Sequence, residues 1–460
     1  MASQFVVTNP ASNKVEATYD RIDAKRLESA LATADAAQRE WRTTDLAKRA
    51  DVLRAVAGLM EERKDDLAAT ISREMGKRHV DAKGELDICI AILGYYADHA
   101  ATLLADVPVP SYDGARAYVR KSATGALLGI MPWNYPYYQV IRFAAPNIVA
   151  GNTVLVKHAS QCPESALAIE TLFADAGAPV GVYTNLFVDH AQLETIIADP
   201  RIAGVSLTGS ERAGSTVASL AGRHLKKVVL ELGGSDPYLV LATDDMDATI
   251  VHTTKARMSN GGQSCNAGKR FIVVEELYDE FVAKTKAAFE AHQPGDPFDD
   301  ASTFGPMSSE GAAVELVEQV EDAVAHGATV LVGGGRPDRE GAYVDATVLL
   351  DVPREARAFE EELFGPVSVI HRVPDVEAAI ELANESPFGL GAAVFHTDVA
   401  VAEEVASRID AGMVFINQRE GGGPEIPFGG TKRSGFGREL GPSGIEEFLN
   451  HKLIYVPAGS

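Results

Sequence analysis

The chain has 460 residues, more than one ordinary domain holds, so two or three domains are expected. It is 46% hydrophobic and 23% charged, a soluble globular profile without an apolar run long enough to cross a bilayer. A formal charge of −23 repels nucleic acid and anionic membrane surfaces and excludes both as partners.

Three scattered cysteines, Cys89, Cys162 and Cys265, argue against a disulfide framework and for a reducing cytoplasm. No C-x-x-C or H-E-x-x-H occurs, so no metal site is expected. Residues 1–10 lack the basic and apolar regions of a signal peptide.

In chain order, residues 4–7 and 14–19 form a short β-rich lead-in. Residues 21–106 carry apolar positions at helical spacing, such as Leu46, Ala50, Leu53 and Val56. Cys89 falls on such a face and reads as a buried core thiol; Cys162, before Pro163, reads as packing. Prolines and Gly114 then precede an alternating strand at 115–121, set outside the main core as an excursion towards a partner subunit. From Gly125, apolar runs at 126–131, 153–157, 184–188, 202–207 and 227–232 alternate with helical segments at 137–150, 163–176, 191–198 and 211–221. This alternation predicts a doubly wound parallel sheet, whose ligands bind beyond the carboxyl ends of the strands. A second α/β region starts near Ser235, with a strand at 237–240, a helix at 246–258, a strand at 270–274 and a helix at 278–292. The chain closes on a strand-like run, H-K-L-I-Y-V.

The segment 260–270, N-G-G-Q-S-C-N-A-G-K-R, sets Cys265 among small and polar residues. A cysteine used as core filler has apolar neighbours; this one has glycines that admit a ligand and leave backbone N–H groups to meet a developing negative charge. Cys265 is therefore a candidate nucleophile. Glu231 closes an apolar strand before Gly233 and Gly234, and is either a base with a raised pKa or an ion-paired carboxylate. Asn134, in P-W-N-Y-P, is an oxyanion donor or a turn residue. Gly209 and Ser210, in L-T-G-S, hold a phosphate at a helix start or simply cap it. Lys157 ends a strand at the same edge and reaches ribose or phosphate, or solvent. Glu362 is ambiguous by itself. Neither G-x-G-x-x-G nor a P-loop is present.

Taken together, P-W-N-Y-P (132–136), K-H-A-S (157–160), L-T-G-S (207–210), L-E-L-G-G (230–234), G-Q-S-C (262–265), E-E-L-F-G-P (361–366) and I-P-F-G-G-T-K-R-S-G-F-G-R-E-L (426–440) resemble the NAD(P)-dependent aldehyde dehydrogenase superfamily along nearly the whole chain. The resemblance implies an α/β fold with a doubly wound cofactor domain (1–114 and 126–232), an α/β catalytic domain (233–425) and a small bridging sheet for oligomerisation (115–125 and 426–460), within a homodimer or homotetramer. It implies that Cys265 attacks an aldehyde, Asn134 holds the oxyanion and Glu231 activates water. Trp133, Lys157, Ser160, Gly209, Ser210, Leu232, Glu362 and Phe364 would line the cofactor site. NAD-preferring relatives commonly carry a glutamate three residues after the motif lysine; Ser160 stands there and permits a 2′-phosphate, favouring NADP over NAD. The chain looks most like bacterial succinate-semialdehyde dehydrogenases of the shorter type, and Arg142, eight residues after Asn134, matches an arginine that meets the substrate carboxylate. Two positions depart from that group: Gly422 replaces a serine, and Ser259 replaces an arginine six residues before the cysteine, with Arg257 and Arg419 nearby in the pattern. Ala267 leaves no second cysteine for a local disulfide. The competing readings are a broad-specificity or other acidic-aldehyde dehydrogenase and, from another class, a thiol hydrolase that moves no hydride.

Overall fold

The structure, a computed structural model, describes residues 5–419, 421 and 423–458. Gln4, in the expected lead-in strand, and the departure at Gly422 lie outside them. The alternating periods of the sequence become two open sheets wrapped by helices, plus a smaller antiparallel sheet.

In the first sheet the order is Gly435–Phe436, Lys227–Glu231, Ile202–Thr208, Ala126–Ile130, Thr153–Lys157 and Tyr183–Asn185. All but the first run parallel. The strand order reverses between Ala126–Ile130 and Ile202–Thr208, and such a switch point opens a crevice at the carboxyl ends of the strands. These strands are buried on both faces, which is why they read as short unbroken apolar runs. The expected strand at 184–188 is instead Tyr183–Asn185. Leu186 and Val188 are buried against the core without belonging to the strand, so their apolar character reports packing rather than pairing.

Four helices, Ala24–Trp41, Leu46–Glu62, Lys64–Met75 and His79–Leu103, fill the expected helical region. Cys89 is fully buried on the last of them, and Cys162 is buried at a helix start. The second sheet has the order Thr329–Val332, Thr347–Leu350, Val367–Val373, Gly268–Val274, Asp236–Val240, Gly391–Phe395 and Met413–Ile416; only its first strand is antiparallel. Arg116–Ala123 pairs with Val107–Val109 and with the C-terminal Leu449–Val456, the separate sheet expected from the alternating segment. The late strand Gly435–Phe436 returns to the first sheet, with Gly435 opposite Glu231. The end of the chain therefore closes over the carboxyl end of that strand. No described helix is long and apolar enough to cross a membrane.

Candidate active site

The segment around Cys265 follows the helix Met246–Met258 and begins with left-handed backbone: Asn260, Gly261 and Gly262 have φ of 53°, 59° and 75°. A Cβ on Gly262 would stand 2.1 Å from the carbonyl oxygen of Gly365, so both conformation and space demand glycine. Gly262→Ala is expected to cost about 2–5 kcal/mol from strained backbone and overpacking, read as a lower urea midpoint.

Four polar side chains hold this segment. Asn260 Nδ2 donates to Asn134 O (3.0 Å) and Gln263 O (3.1 Å). Asn134 Nδ2 also donates to Gln263 O (3.1 Å), and Ser308 N donates to Gln263 Oε1 (2.8 Å). Lys269, fully buried, donates to Ser264 O (2.9 Å) and Cys265 O (2.7 Å), and lies 3.0 Å from Glu362 Oε1. Glu362 Oε1 also accepts from Gly234 N (3.0 Å). A Cβ on Gly234 would stand 2.6 Å from the carbonyl oxygen of Cys265, and one on Gly233 would come within 2.3 Å of Glu362 Oε2.

The P-W-N-Y-P loop is fixed from beneath. Glu85 Oε1 accepts from Tyr137 N (2.8 Å) and Tyr138 N (3.0 Å), satisfying donors at the start of helix Tyr138–Ala150. Its partner Lys77, equally buried, donates to Asn134 O (2.9 Å) and sits 3.7 Å from the Tyr135 ring centroid.

A cavity of about 470 Å³ opens at the switch point of the first sheet. Trp133, Asn134, Gly209, Ser210, Leu232, Cys265, Glu362 and Phe364 line it together, joined by Thr208 and Gly233. Trp133 meets Phe364 edge-on, with centroids 5.6 Å apart. Ser210 caps helix Glu211–Arg223 through Ala213 N (3.3 Å), so the helix N-terminus faces the cavity. The volume is in the range of ligand and cofactor sites, and its apolar walls with few polar groups suit one. Lys157 and Ser160 stand outside this lining: Lys157 is half-buried with Nζ on His158 O (3.2 Å), and Ser160 is exposed. Burial lowers the Lys157 pKa.

Glu231 is not in the lining either. It is buried immediately before Leu232, and both carboxylate oxygens lack a hydrogen-bond partner among the described residues. A Cβ on Gly429 would come within 2.7 Å of Oε1. Burial raises the Glu231 pKa well above the usual carboxylate range, against the opposing pull of Arg142. Burial likewise pushes the Cys265 thiol up to about 12, with Arg142 and Lys269 pulling it down. Asn134 Oδ1 is also buried without a partner among the described residues.

Arg142 is fully buried, neither a surface residue nor part of either cavity wall described here. Its guanidinium contacts Glu439, lies 4.5 Å from the Phe428 ring centroid and 5.0 Å from that of Tyr138, and reaches Thr208 Oγ1 at 3.4 Å. Burial opposes its charge, but Glu439 outweighs that and raises its pKa. Arg257 is equally buried and donates to Leu363 O (2.6 Å) and Gly365 O, which fixes the E-E-L-F-G-P segment.

A second cavity of about 280 Å³ reaches Tyr135, Ser264 and Asn266, the sequence neighbours of Asn134 and Cys265. Lys77, Ser259, Asn260 and Arg419 also line it. Sequence reasoning missed Lys77, Glu85 and Lys269, which act through partners distant in the chain; Lys269 stood inside the cysteine motif, yet only its partner Glu362 gives it meaning.

Cys265 and Asn134 thus share one cavity at the switch point of a doubly wound sheet, and the buried Glu231 directly precedes Leu232 in its wall. Residues 1–454 match the aldehyde dehydrogenase family, and the chain belongs to that family. It is 51% identical to the succinate-semialdehyde dehydrogenase (NADP+) of Deinococcus radiodurans, over 98% of this chain and 94% of that protein. It is 41% identical to the corresponding protein 1 of Mycobacterium tuberculosis, over 97% and 98%. The crystal structure of succinic semialdehyde dehydrogenase from Streptococcus pyogenes in complex with NADP+ superposes with a TM-score of 0.97 at 40% identity, covering 98% of this chain and 100% of that one.

Proposed function

We propose that this aldehyde dehydrogenase oxidises succinic semialdehyde to succinate with NADP+, Cys265 being the nucleophile. The observation that carries the reading is the convergence of Cys265, Asn134, Leu232 and Glu362 on one cavity at the switch point. The relatives named for succinate semialdehyde and NADP+ support the substrate and the cofactor.

The Cys265 thiolate attacks the carbonyl carbon and forms a thiohemiacetal. Asn134 Nδ2 uses one N–H on Gln263 O, and its other N–H and the Cys265 backbone N–H meet the oxyanion. Bound in the larger cavity, NADP+ supplies the hydride acceptor. Trp133, Gly209, Ser210, Leu232, Glu362 and Phe364 would hold it, and Lys157 and Ser160 would meet its adenosine ribose. The acyl group is left as a thioester on Cys265. Glu231 takes a proton from water as the water oxygen attacks the thioester carbon; the C–S bond breaks and the acid leaves. Arg142 and Lys269 favour the thiolate electrostatically.

Ser160 is the handle on cofactor choice. Ser160→Glu is expected to weaken NADP+ binding by roughly tenfold or more through repulsion of the 2′-phosphate, with NAD+ binding retained, as measured by titration. NAD fits the same residues and is the second cofactor.

We assign residues 1–114 and 126–232 to the cofactor domain, 233–425 to the catalytic domain, and 115–125 with 426–460 to a bridging unit. The small sheet exposes Val107, Val109, Leu453 and Tyr455, which supports its use in a homodimer or homotetramer. Three free cysteines support a cytoplasmic location. The reading is tested by a panel of aldehydes with and without a terminal carboxylate, run with both cofactors. Ester hydrolysis without any nicotinamide absorbance change would identify a thiol hydrolase instead.

A further inference from the structure

Lys269 stands at the start of the strand Gly268–Val274, whose parallel neighbour in the second sheet is Val367–Val373. The cysteine segment leads into the first of these strands and E-E-L-F-G-P into the second, so both loops meet at one amino-terminal edge. The Lys269 side chain is only 1% exposed there. An ammonium so deep costs stability unless opposite charge and hydrogen bonds offset it.

Its three donors are all used, on Ser264 O (2.9 Å), Cys265 O (2.7 Å) and Glu362 Oε1 (3.0 Å). Two of these acceptors belong to the nucleophile's own segment. The third is a carboxylate in the wall of the larger cavity, and the same Oε1 also accepts from Gly234 N (3.0 Å). A neutral donor would tie the two carbonyls; an ammonium also fixes the carboxylate and sets a charge beside the sulfur. Burial raises the Cys265 pKa most; Arg142 and Lys269 lower it, and Glu362 and Glu231 raise it. The two ends of the Lys269–Glu362 pair thus act on the thiol in opposite senses, in surroundings that screen them weakly.

We propose that Lys269 is a positioning residue with two targets: it sets the Glu362 carboxylate on the cofactor wall and holds a positive charge against the Cys265 segment. One buried ammonium then couples the cofactor site to the nucleophile. The proposal rests on the reading that NADP+ occupies the larger cavity with Glu362 in its wall.

The test measures NADP+ affinity by titration and the rate at which iodoacetamide alkylates Cys265 at about pH 8, followed by mass spectrometry of the Cys265 peptide. Wild-type enzyme that binds no NADP+, or Glu362→Gln enzyme that binds it as tightly as wild type, removes the underlying reading before Lys269 is touched. With that reading in place, Lys269→Met is expected to slow alkylation by roughly tenfold, the thiolate lost with one nearby cation. It also weakens NADP+ binding by about tenfold, because Glu362 loses a charge-assisted partner. Lys269→Gln, which keeps N–H donors without the charge, slows alkylation to a similar extent. Glu362→Gln has the opposite sign and speeds alkylation by about threefold or more. In the double variant, Lys269→Met adds less than about twofold to the affinity loss of Glu362→Gln, since it reaches the cofactor through that carboxylate. Slower alkylation in both single variants, which marks a loosened loop, overturns the proposal. So do an unchanged alkylation rate in Lys269→Met and equal affinity losses in the two backgrounds.

Discussion

Cys265→Ala is expected to lower aldehyde oxidation by on the order of 10⁴-fold or more while NADP+ still binds. In the proposed mechanism the sulfur contributes the covalent bond to the substrate, and no other thiol can replace it: Cys89 and Cys162 are fully buried elsewhere. Among the described residues the side chain makes no hydrogen bond that holds the loop; Lys269 grips the Cys265 carbonyl, and Asn134 and Asn260 grip Gln263. Alanine therefore removes chemistry rather than architecture, and equilibrium titration with NADP+ alongside initial rates separates the two. Persistent oxidation in the variant would remove the nucleophile assignment. Burial pushes the Cys265 thiol up to about 12, so the thiolate fraction grows as pH rises. Alkylation by iodoacetamide should rise steadily as pH increases from 7 towards that value.

Glu231→Gln is expected to reduce kcat by about 10²–10⁴-fold, the range of a general base, and to uncouple the two half-reactions. Acylation of Cys265 needs no water, so one equivalent of reduced cofactor forms in a rapid burst and turnover then stalls. Stopped-flow absorbance with a single-turnover trace measures both phases. A variant that loses the burst as strongly as the steady state would show that Glu231 acts before hydride transfer. The pH dependence has a definite sign. Burial favours the neutral acid, so the carboxylate that accepts a proton from water disappears as pH falls through a value well above the ordinary range. The acid limb of thioester hydrolysis should therefore lie at higher pH than a normal glutamate would give.

Much of this molecule is legible in local sequence. Apolar runs broken by helical segments at 126–232 become the parallel sheet, because strands buried on both faces carry that pattern whatever surrounds them. Helix Met246–Met258 is started by the Asp245 cap, whose side chain accepts from Ala248 N. The glycines around Cys265 announce close backbone approach, and Gly262 against Gly365 is that approach. What stays hidden is pairing across the chain. The resemblance implies that Arg142 meets the substrate carboxylate, while in the fold its guanidinium contacts Glu439. Lys77 and Glu85 look like ordinary helix-surface charges until the P-W-N-Y-P loop lands on them. The pattern sets Arg419 beside the departure at Ser259, but spacing does not show their contact; Arg419 Nη1 donates to Ser259 Oγ across 160 residues of chain. Charged partners are chosen by tertiary packing, which no periodicity encodes.

The strand Gly435–Phe436 lies beside Lys227–Glu231, Gly429 presses on the Glu231 carboxylate, and Glu439 receives Arg142. A nascent polypeptide still on the ribosome can have folded its nicotinamide sheet and exposed its sulfur, yet the carboxylate has no roof. Chains that stop before Gly429 should accordingly leave the Glu231 carboxylate uncovered on that side. Arrival of residues 429–439, rather than folding of the early helices, is the event that encloses Glu231.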